Sequence, residues 1–184
     1  MGRVLPETAR GKVIVFSSFF LILLVLFFVV GTARLFLWPP TDQPQRSDAV
    51  VALGGDPGQL RAKQALSLAR QGYAPVAVIS LGGTAPAPCP TAPPHVSVIC
   101  FRADPLDTRG EAEFVGRLVA ARHWHRIMVV SERTQTTRAR LLFERCTDVH
   151  LAMVPVTDPS SHLLYDVVYE WGALGKALLL ERSC

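Results

Sequence analysis

The sequence predicts an α/β domain built on a doubly wound, mainly parallel sheet of about five strands, preceded by one transmembrane helix. Two observations predict this fold class. Residues 13–33 form an uncharged apolar run near the amino terminus. In the more hydrophilic chain that follows, short continuous apolar runs alternate with helical patterns, which is typical of strands buried on both faces of a parallel sheet. The ~137 residues from position 48 onward suit one domain.

The amino-terminal run is long enough to cross a bilayer. As a helix rising about 1.5 Å per residue, its 21 residues span roughly 31 Å, the thickness of the hydrocarbon core. Arg3, Arg10 and Lys12 precede the run, with Glu7 as the only acid. Because basic residues beside a span favour the cytoplasmic side, this bias predicts that the chain leaves the membrane on the outside.

The chain therefore divides into four predicted parts. These are a cytoplasmic amino terminus at 1–12, a plasma-membrane anchor at 13–37, a linker at 38–47 and an extracytoplasmic domain at 48–184. A cleaved signal peptide is the alternative, because Gly31-Thr32-Ala33 is small enough for a cleavage site. The run is longer than the roughly 7–15 apolar residues of such a peptide, which favours a retained anchor.

The domain shows alternating strand and helix patterns. The predicted strands are 49–54, 75–83, 96–101, 126–131 and 149–156. The predicted helices are 57–71, 107–122 and 135–145. Asp56-Pro57 is expected to open the first helix and Gly72 to close it.

The carboxy-terminal segment 160–182 predicts one more helix. An apolar stripe is spaced for packing on a core and consists of Leu164, Val168, Trp171, Leu174 and Leu178. A second membrane span is the competing interpretation. Four charged residues argue against it, namely Asp166, Glu170, Lys176 and Glu181.

Four cysteines follow the anchor, and an even count in an oxidising compartment allows disulfides. Cys89 and Cys100 bracket most of a stretch, 84–95, in which five of twelve residues are proline. We predict this pair, since a bridge would close a loop with little core of its own. Cys146 with Cys184 would then tie the tail to the body. Four buried thiols are the alternative, and the absence of CxxC spacing argues against a zinc or redox motif.

Charge and motifs exclude several function classes. Residues 1–38 carry a net charge of +3 and the remainder +1, so the domain lacks the basic patch that nucleic-acid binding needs. The sequence contains no HExxH motif, Walker loop or clustered acidic metal site. We therefore predict no metal, no cofactor and no nucleic-acid partner.

Candidate ligand-binding residues lie where the predicted strands end. In doubly wound sheets ligands bind beyond the carboxyl ends of the strands, where helices begin. The candidates are Gly54, Gly55, Arg61, Gly82, Gly83, Thr108, Glu111, Ser131, Gln135 and Arg138. Helix amino termini offer free amides and partial positive charge, and arginine adds bidentate contacts. Their convergence predicts an anion-binding cleft.

Each feature also has a structural interpretation. A full GxGxxG motif is absent, so Gly54-Gly55 could serve only a tight turn. Thr108-x-x-Glu111 fits a capping box, in which each side chain bonds the other residue's amide. Under this interpretation the arginines are solvated, and Ser131 and Thr134 begin the following helix.

Three sequence blocks, taken in order, resemble a known family. The blocks SDAVVALGG…LGG (47–83), DTRGEAEFV (107–115) and RIMVVSERTQTTRARLLFERC (126–146) are similar to the YdcF/SanA/ElyC-like family. That family is a domain of largely unknown function, often behind one membrane helix. The resemblance covers about 48–156 and points to an actinobacterial, membrane-anchored branch. It implies a Rossmann-like fold and a role in the cell envelope, since some relatives are tied to peptidoglycan or lipid-carrier metabolism.

The resemblance carries over to individual positions, with departures. It assigns the family's glycine pair, arginines and threonine to Gly54, Gly55, Arg61, Arg138 and Thr108, with Glu111 after the threonine. Leu81 stands where the family has Ser, Arg102 where it has an acid (Asp104 lies close by), and Gln135 where it commonly has His. If that His moves protons in relatives, this chain would have lost the step, because Gln cannot shuttle a proton at neutral pH.

These observations lead to a functional hypothesis with alternatives. We expect a single-pass envelope protein that binds a phosphorylated or carboxylated ligand, for example a polyprenyl-phosphate-linked cell-wall precursor. Any chemistry would be transfer or hydrolysis at a phosphoryl group. The first alternative is a non-catalytic envelope assembly or barrier factor acting through protein contacts. A nucleotide-dependent transferase is disfavoured, because nucleotides are scarce outside the membrane.

Overall fold

The apolar amino-terminal run forms one long helix. The computed structural model describes residues 7–55, 59–82, 88–157 and 162–184, with side chains from residue 16 onward. Helix α1, Glu7–Thr32, continues as a π-helical turn, Ala33–Leu37, and stops at Trp38. Within the described residues, Phe16–Leu37 is the one helix long and apolar enough to cross a membrane.

Five parallel strands form one sheet in the order β3-β2-β1-β4-β5. The strands are β1 Ala49–Ala52, β2 Val76–Ser80, β3 Ser97–Phe101, β4 Arg126–Val130 and β5 His150–Met153. Ala49 pairs with Val76 on one side and with Ile127 on the other, which makes β1 the central strand. Every residue of β1 is buried, as expected for a continuous apolar run. The predicted α/β class with a parallel, Rossmann-like sheet is confirmed.

Helices cover both faces of the sheet. Helix α2, Leu60–Arg70, packs on one face, against the side chains of Val50 and Met128. Helices α3, Thr108–Arg122, α4, Thr136–Cys146, and α5, Leu163–Leu179, contribute to the core on the other face with Val51 and Val129. Neighbouring residues of a strand thus point to opposite cores, in agreement with the two-residue period of a strand.

The strand order defines a crevice at the carboxyl edge. From β1 the chain passes through α2 to β2 on one side, whereas β4 lies on the other side of β1. The order therefore reverses between β1 and β4, and the loops after these two strands diverge there. This is the place where doubly wound sheets bind ligands.

The end of α1 lies against this same edge. The Thr137 hydroxyl, near the start of α4, donates a hydrogen bond to the Leu35 carbonyl, and Phe36 is fully buried. Just beyond, the Asp42 carboxylate accepts a bond from the Met153 amide at the end of β5 (2.9 Å). The apolar helix therefore meets the domain beside the carboxyl ends of the strands.

The helices begin one to three residues later than predicted, and the predicted caps of α3 and α4 were wrong. Helix α2 begins at Leu60 after Gln59, which has a left-handed φ of 52°, while Asp56-Pro57 lies outside the described residues. The capping box is replaced by Asp107, whose carboxylate accepts the Gly110 amide at 2.9 Å. Asp107 occupies the extended conformation of an N-cap, so Thr108 is already helical and its side chain is directed elsewhere. Helix α4 begins at Thr136, and neither Ser131 nor Thr134 caps it.

The predicted buried stripe of the carboxy-terminal helix was wrong for most of its members. Leu164 is 83% exposed and Val168 is 72% exposed. The residues of α5 that are buried are Glu170, Leu174 and Ala177. The apolar stripe predicted the helix correctly, but α5 is rotated so that another face contacts α4.

Both predicted disulfides are present. Cys89 is bonded to Cys100, and Cys146 is bonded to Cys184. None of the four cysteines is free. The second bridge fixes the end of the chain to the end of α4.

Candidate functional site

A buried carboxyl group, that of Glu111, reaches the carboxyl edge of the central strand. Its Oε1 accepts a hydrogen bond from the Gly54 amide at 2.7 Å, and the residue is only 5% exposed. The bond joins the first turn of α3 to the loop after β1, 57 residues away in sequence. Glu111 therefore bonds the loop after β1 and does not cap the start of its own helix.

The surroundings of Glu111 favour its protonated form. Burial raises the pKa of this carboxyl above its usual value. The hydrogen bond from the Gly54 amide, the nearby Ser80 hydroxyl and the positive charges of Arg61 and Arg138 act in the opposite direction without offsetting burial. A buried acid with a raised pKa at a ligand-binding edge is a recurrent feature of functional sites.

A chain of side-chain hydrogen bonds crosses the crevice between β1 and β4. Arg61 Nη1 donates to Gln135 Oε1 at 2.9 Å, and Gln135 Nε2 donates to Thr108 Oγ1 at 2.8 Å. Arg61 lies in the first turn of α2 and is 5% exposed. Because an amide both accepts and donates, Gln135 fixes the orientation of both partners. Three predicted site residues from three separate helix starts are thereby brought together.

The glycines of the edge allow two loops to approach each other. A Cβ atom on Gly54 would lie 2.5 Å from the Gly82 amide nitrogen, which is too close for any side chain. Gly55 has a φ of +90°, and its amide donates to the Gly82 carbonyl at 3.3 Å. Gly54, Gly55 and Gly82 therefore form a contact between the loops after β1 and β2. Gly83 lies outside the described residues.

Ser131 lies at the end of β4 and is fully buried. Its hydroxyl oxygen is 3.1 Å from that of Thr136, which also donates to the Glu132 carbonyl at 3.1 Å. These contacts hold the β4–α4 loop together. The Ser131 hydroxyl therefore lies at the carboxyl edge as predicted, but its hydrogen bond is made within its own loop.

Arg138 makes an internal ion pair. Its Nε and Nη2 atoms donate to the two carboxylate oxygens of Glu170 at 2.8 and 2.7 Å, and both residues are buried. Burial alone would lower the pKa of Arg138, but the bonds and charge of Glu170 raise it. From the sequence we expected the Arg138 guanidinium to face solvent or a ligand. Instead, the Glu170 carboxylate of α5 neutralises its charge.

Sequence reasoning missed two residues of this edge. Ser80 ends β2, two residues before Gly82, and interacts with Glu111; its position at a strand end was a readable signal. Glu170 was read only as a charge that argues against a membrane span. No local signal indicated its pairing with Arg138, because the two residues are 32 positions apart.

Within the ranges that the structure describes, no group of three or more His, Cys, Asp or Glu side chains is arranged to hold a metal ion. The clustered groups are instead a guanidinium, an amide, hydroxyls and one buried carboxyl. Such a set can bind an anion and can transfer a proton at Glu111.

The fold and its edge define a class of protein. It is a Rossmann-like α/β domain that carries one helix able, by length and composition, to cross a membrane. Comparison with protein-family models, with curated proteins and with solved structures found no match. The resemblance to the YdcF/SanA/ElyC-like family therefore stays a prediction.

Proposed function

We propose that this chain is a single-pass envelope protein whose extracytoplasmic domain binds a phosphorylated or carboxylated ligand in the crevice between β1 and β4. One observation carries the proposal: the buried guanidinium of Arg61 is held across that crevice by the neutral side chain of Gln135. Arginine held in a fixed orientation loses little further freedom when it binds phosphate or carboxylate.

The proposal assigns different tasks to the two arginines. Arg61 contacts the ligand, assisted by the Thr108 hydroxyl, and the glycines after β1 and β2 let the ligand approach the backbone. Arg138 is bonded to Glu170, so it holds α4 and α5 in place and adds positive potential behind the crevice. This revises the hypothesis that both arginines contact the ligand directly.

Among the described residues of this crevice, Glu111 is the group suited to proton transfer. Its raised pKa brings its titration closer to neutral pH than that of an ordinary carboxyl. Gln135 cannot take this role, because an amide does not titrate in that range. If the protein catalyses phosphoryl transfer or hydrolysis, Glu111 is the acid or base.

A lipid-linked ligand is favoured by the position of the apolar helix. Gln135 lies two residues before Thr137, whose hydroxyl bonds the Leu35 carbonyl at the end of that helix. If this helix crosses the membrane, the crevice lies beside the surface on which polyprenyl phosphates expose their head groups. This position supports a polyprenyl-phosphate-linked precursor over a freely diffusing anion.

Replacing Arg61 tests the proposal. We expect Arg61→Ala to weaken binding of a polyprenyl phosphate, measured by calorimetry on the full chain in detergent, by about 10- to 100-fold, the value of a charged hydrogen bond. Arg61→Lys should fall in between, because it keeps the charge but loses the planar fork.

The matched control is Arg70→Ala. Arg70 is exposed at the other end of the same helix, so its loss should leave affinity unchanged. Equal affinities of Arg61→Ala and Arg70→Ala, with both variants folded, would refute the binding proposal.

The alternative is a non-catalytic assembly factor. It is favoured by the Arg138–Glu170 pair and the glycine contacts, because these features stabilise the fold and do not face a ligand. Under this alternative, Arg61→Ala lowers the Tm but leaves the affinity for polyprenyl phosphate unchanged. A protein partner that still binds the variant would then support the assembly role.

A further inference from the structure

Helix α5 exposes a broad apolar face, unlike a helix on the surface of a water-soluble domain. Its buried face carries the carboxylate of Glu170, which is only 4% exposed. Its outward face is apolar and includes five side chains that are 49–83% exposed, namely Leu164, Tyr165, Val168, Leu178 and Leu179. Soluble helices turn their charges outward and their apolar side chains inward.

The outward face continues without interruption along the helix. Gly172 and Gly175 lie between the apolar residues near the start of α5 and those near its end. A side chain added at either glycine would meet open space. At a helical rotation of 100° per residue, these glycines share the sector of Leu164, Val168 and Leu179. An exposed apolar patch of this extent marks a contact with a partner or a membrane.

Trp171 joins this face to the apolar helix α1. The Trp171 ring stacks on Phe28 with centroids 5.1 Å apart and meets Phe36 edge-on at 5.2 Å. Its indole N–H donates to the Thr32 hydroxyl at 3.1 Å. Helix α5 therefore lies beside the carboxy-terminal half of the segment Phe16–Leu37, most of whose side chains are apolar and exposed.

We propose that α5 docks on the bilayer as an interfacial helix, in the leaflet where α1 reaches the domain. Its occupant is lipid, because the apolar face is continuous with that of α1. Tyr165, Tyr169 and Trp171 supply the aromatic residues that favour the interface. Exposed Arg182, near the carboxyl end, can meet lipid phosphates. The proposal rests on α1 crossing the membrane, as the proposed function does, but not on any ligand of the crevice.

Docking through α5 would fix the orientation of the domain. Helix α5 is tied to α4 by the Arg138–Glu170 pair and by Arg145, which donates to the Ala177 carbonyl. A flexible linker alone would let the domain tumble above the membrane. Two attachments, α1 and α5, hold the carboxyl edge of the sheet at the lipid surface.

Lipid quenching of tryptophan fluorescence tests this proposal on the full chain. The protein, with Trp38→Phe and Trp124→Phe, is reconstituted in phosphatidylcholine vesicles with brominated acyl chains. Adding Leu164→Trp should give extra emission that bromine strongly quenches and that aqueous acrylamide barely reaches. Leu164 is 83% exposed, so the substitution disturbs no packing, and non-reducing electrophoresis checks that both disulfides have formed.

Two further variants separate the outcomes. Ile22→Trp, in the middle of α1, should be quenched by bromine if α1 spans the membrane. Trp124 lies between α3 and β4 at the opposite edge of the sheet. Its emission, taken as the difference between the chain with Trp38→Phe and the chain with both Trp38→Phe and Trp124→Phe, should not be quenched.

Quenching at position 22 without quenching at 164 would overturn α5 docking and leave the anchor intact. Protection of the probe at 164 from both quenchers would overturn it in favour of a second protein chain on this face. Absence of quenching at position 22 would overturn the span and the docking together. Loss of polyprenyl phosphate binding in Arg61→Ala is independent of all three results.

Discussion

At the scale of single residues, Glu111 has the surroundings most able to change with pH. Burial raises its pKa, although Gly54, Ser80 and Arg61 each stabilise the carboxylate. A protonated carboxyl still accepts the Gly54 amide through its carbonyl oxygen. The residue can therefore change charge without releasing the loop after β1, as an acid–base group at a binding edge requires.

Replacement of Glu111 should change how stability depends on pH. Because the folded pKa lies above the unfolded value, the stabilisation is complete below the unfolded pKa, near 4, and is lost as pH rises through the folded pKa. We expect the Tm of the native chain, relative to Glu111→Gln, to fall as pH rises through that window. The contribution of Glu111 to the free energy of unfolding should change by at most about 1.4 kcal/mol per pH unit.

The difference between the two chains isolates this group. The pKa of Asp48 is lowered by the His125 amide and changes stability in the opposite sense, but it is common to both chains. Glu113→Gln, on the same helix and partly exposed beside Arg109, provides the matched control. A Tm difference for Glu111→Gln that stays constant over this pH range would contradict the prediction.

At the scale of elements, the contact between α4 and α5 depends on one buried ion pair. Arg138 donates two hydrogen bonds to Glu170, and both side chains are largely withdrawn from water. Such a pair is a weak source of net stability, yet the loss of one partner leaves the other charged and unpaired in the interior. The pair therefore matters mainly because it specifies which face of α5 meets α4.

Breaking this pair should destabilise the domain strongly. We expect Glu170→Gln to cost about 3 kcal/mol, which corresponds to a fall in Tm of roughly 10 °C for a chain of this size. Thermal unfolding of the full chain in detergent measures the change. Replacing both partners, with Arg138→Leu and Glu170→Leu, should recover much of the loss because no buried charge remains.

The pair between Arg109 and Glu113 serves as the comparison at this scale. It is partly exposed and spaced four residues apart on α3, so breaking it with Glu113→Gln should cost less than about 1 kcal/mol. Equal losses for Glu170→Gln and Glu113→Gln would show that burial of the Arg138–Glu170 pair has no special role.

At the scale of the whole molecule, the apolar helix, the crevice and α5 lie on one side. Thr137 and Trp171 connect the end of α1 to α4 and α5, and the crevice opens at the edge where α4 begins. The two disulfides close the Pro-rich loop and the carboxy-terminal tail. If the apolar helix crosses a membrane, this arrangement presents the candidate site to the membrane surface.

The disulfides allow a test of the predicted location. If the domain lies outside the cytoplasm, all four cysteines should be oxidised in intact cells. A thiol-alkylating reagent of known mass should then add nothing before reduction and four groups after it, as measured by mass spectrometry. Cys89→Ser, which releases Cys100, should add one group before reduction; alkylation of the native chain without reductant would place the domain in a reducing compartment.

Much of the fold could be predicted because it follows from local patterns. Apolar runs of six to nine residues marked the strands, and their alternation with helical periods indicated a parallel sheet. The Pro-rich stretch between Cys89 and Cys100 made their pairing the natural one. The observed strand and helix boundaries differ from the predicted ones by only a few residues. The helices α3 and α2, for example, begin directly after Asp107 and Gln59.

The sequence by itself determined the fold class, the apolar helix and the position of the candidate residues at the strand ends, because these depend on neighbours a few residues apart. Only the tertiary structure decided which charges meet: Glu111 bonds Gly54, Arg61 reaches Gln135, and Arg138 pairs with Glu170. It also decided that α5 turns its apolar stripe outward. Such choices depend on how whole elements pack, since a buried charge takes whatever partner the opposing element brings within bonding distance.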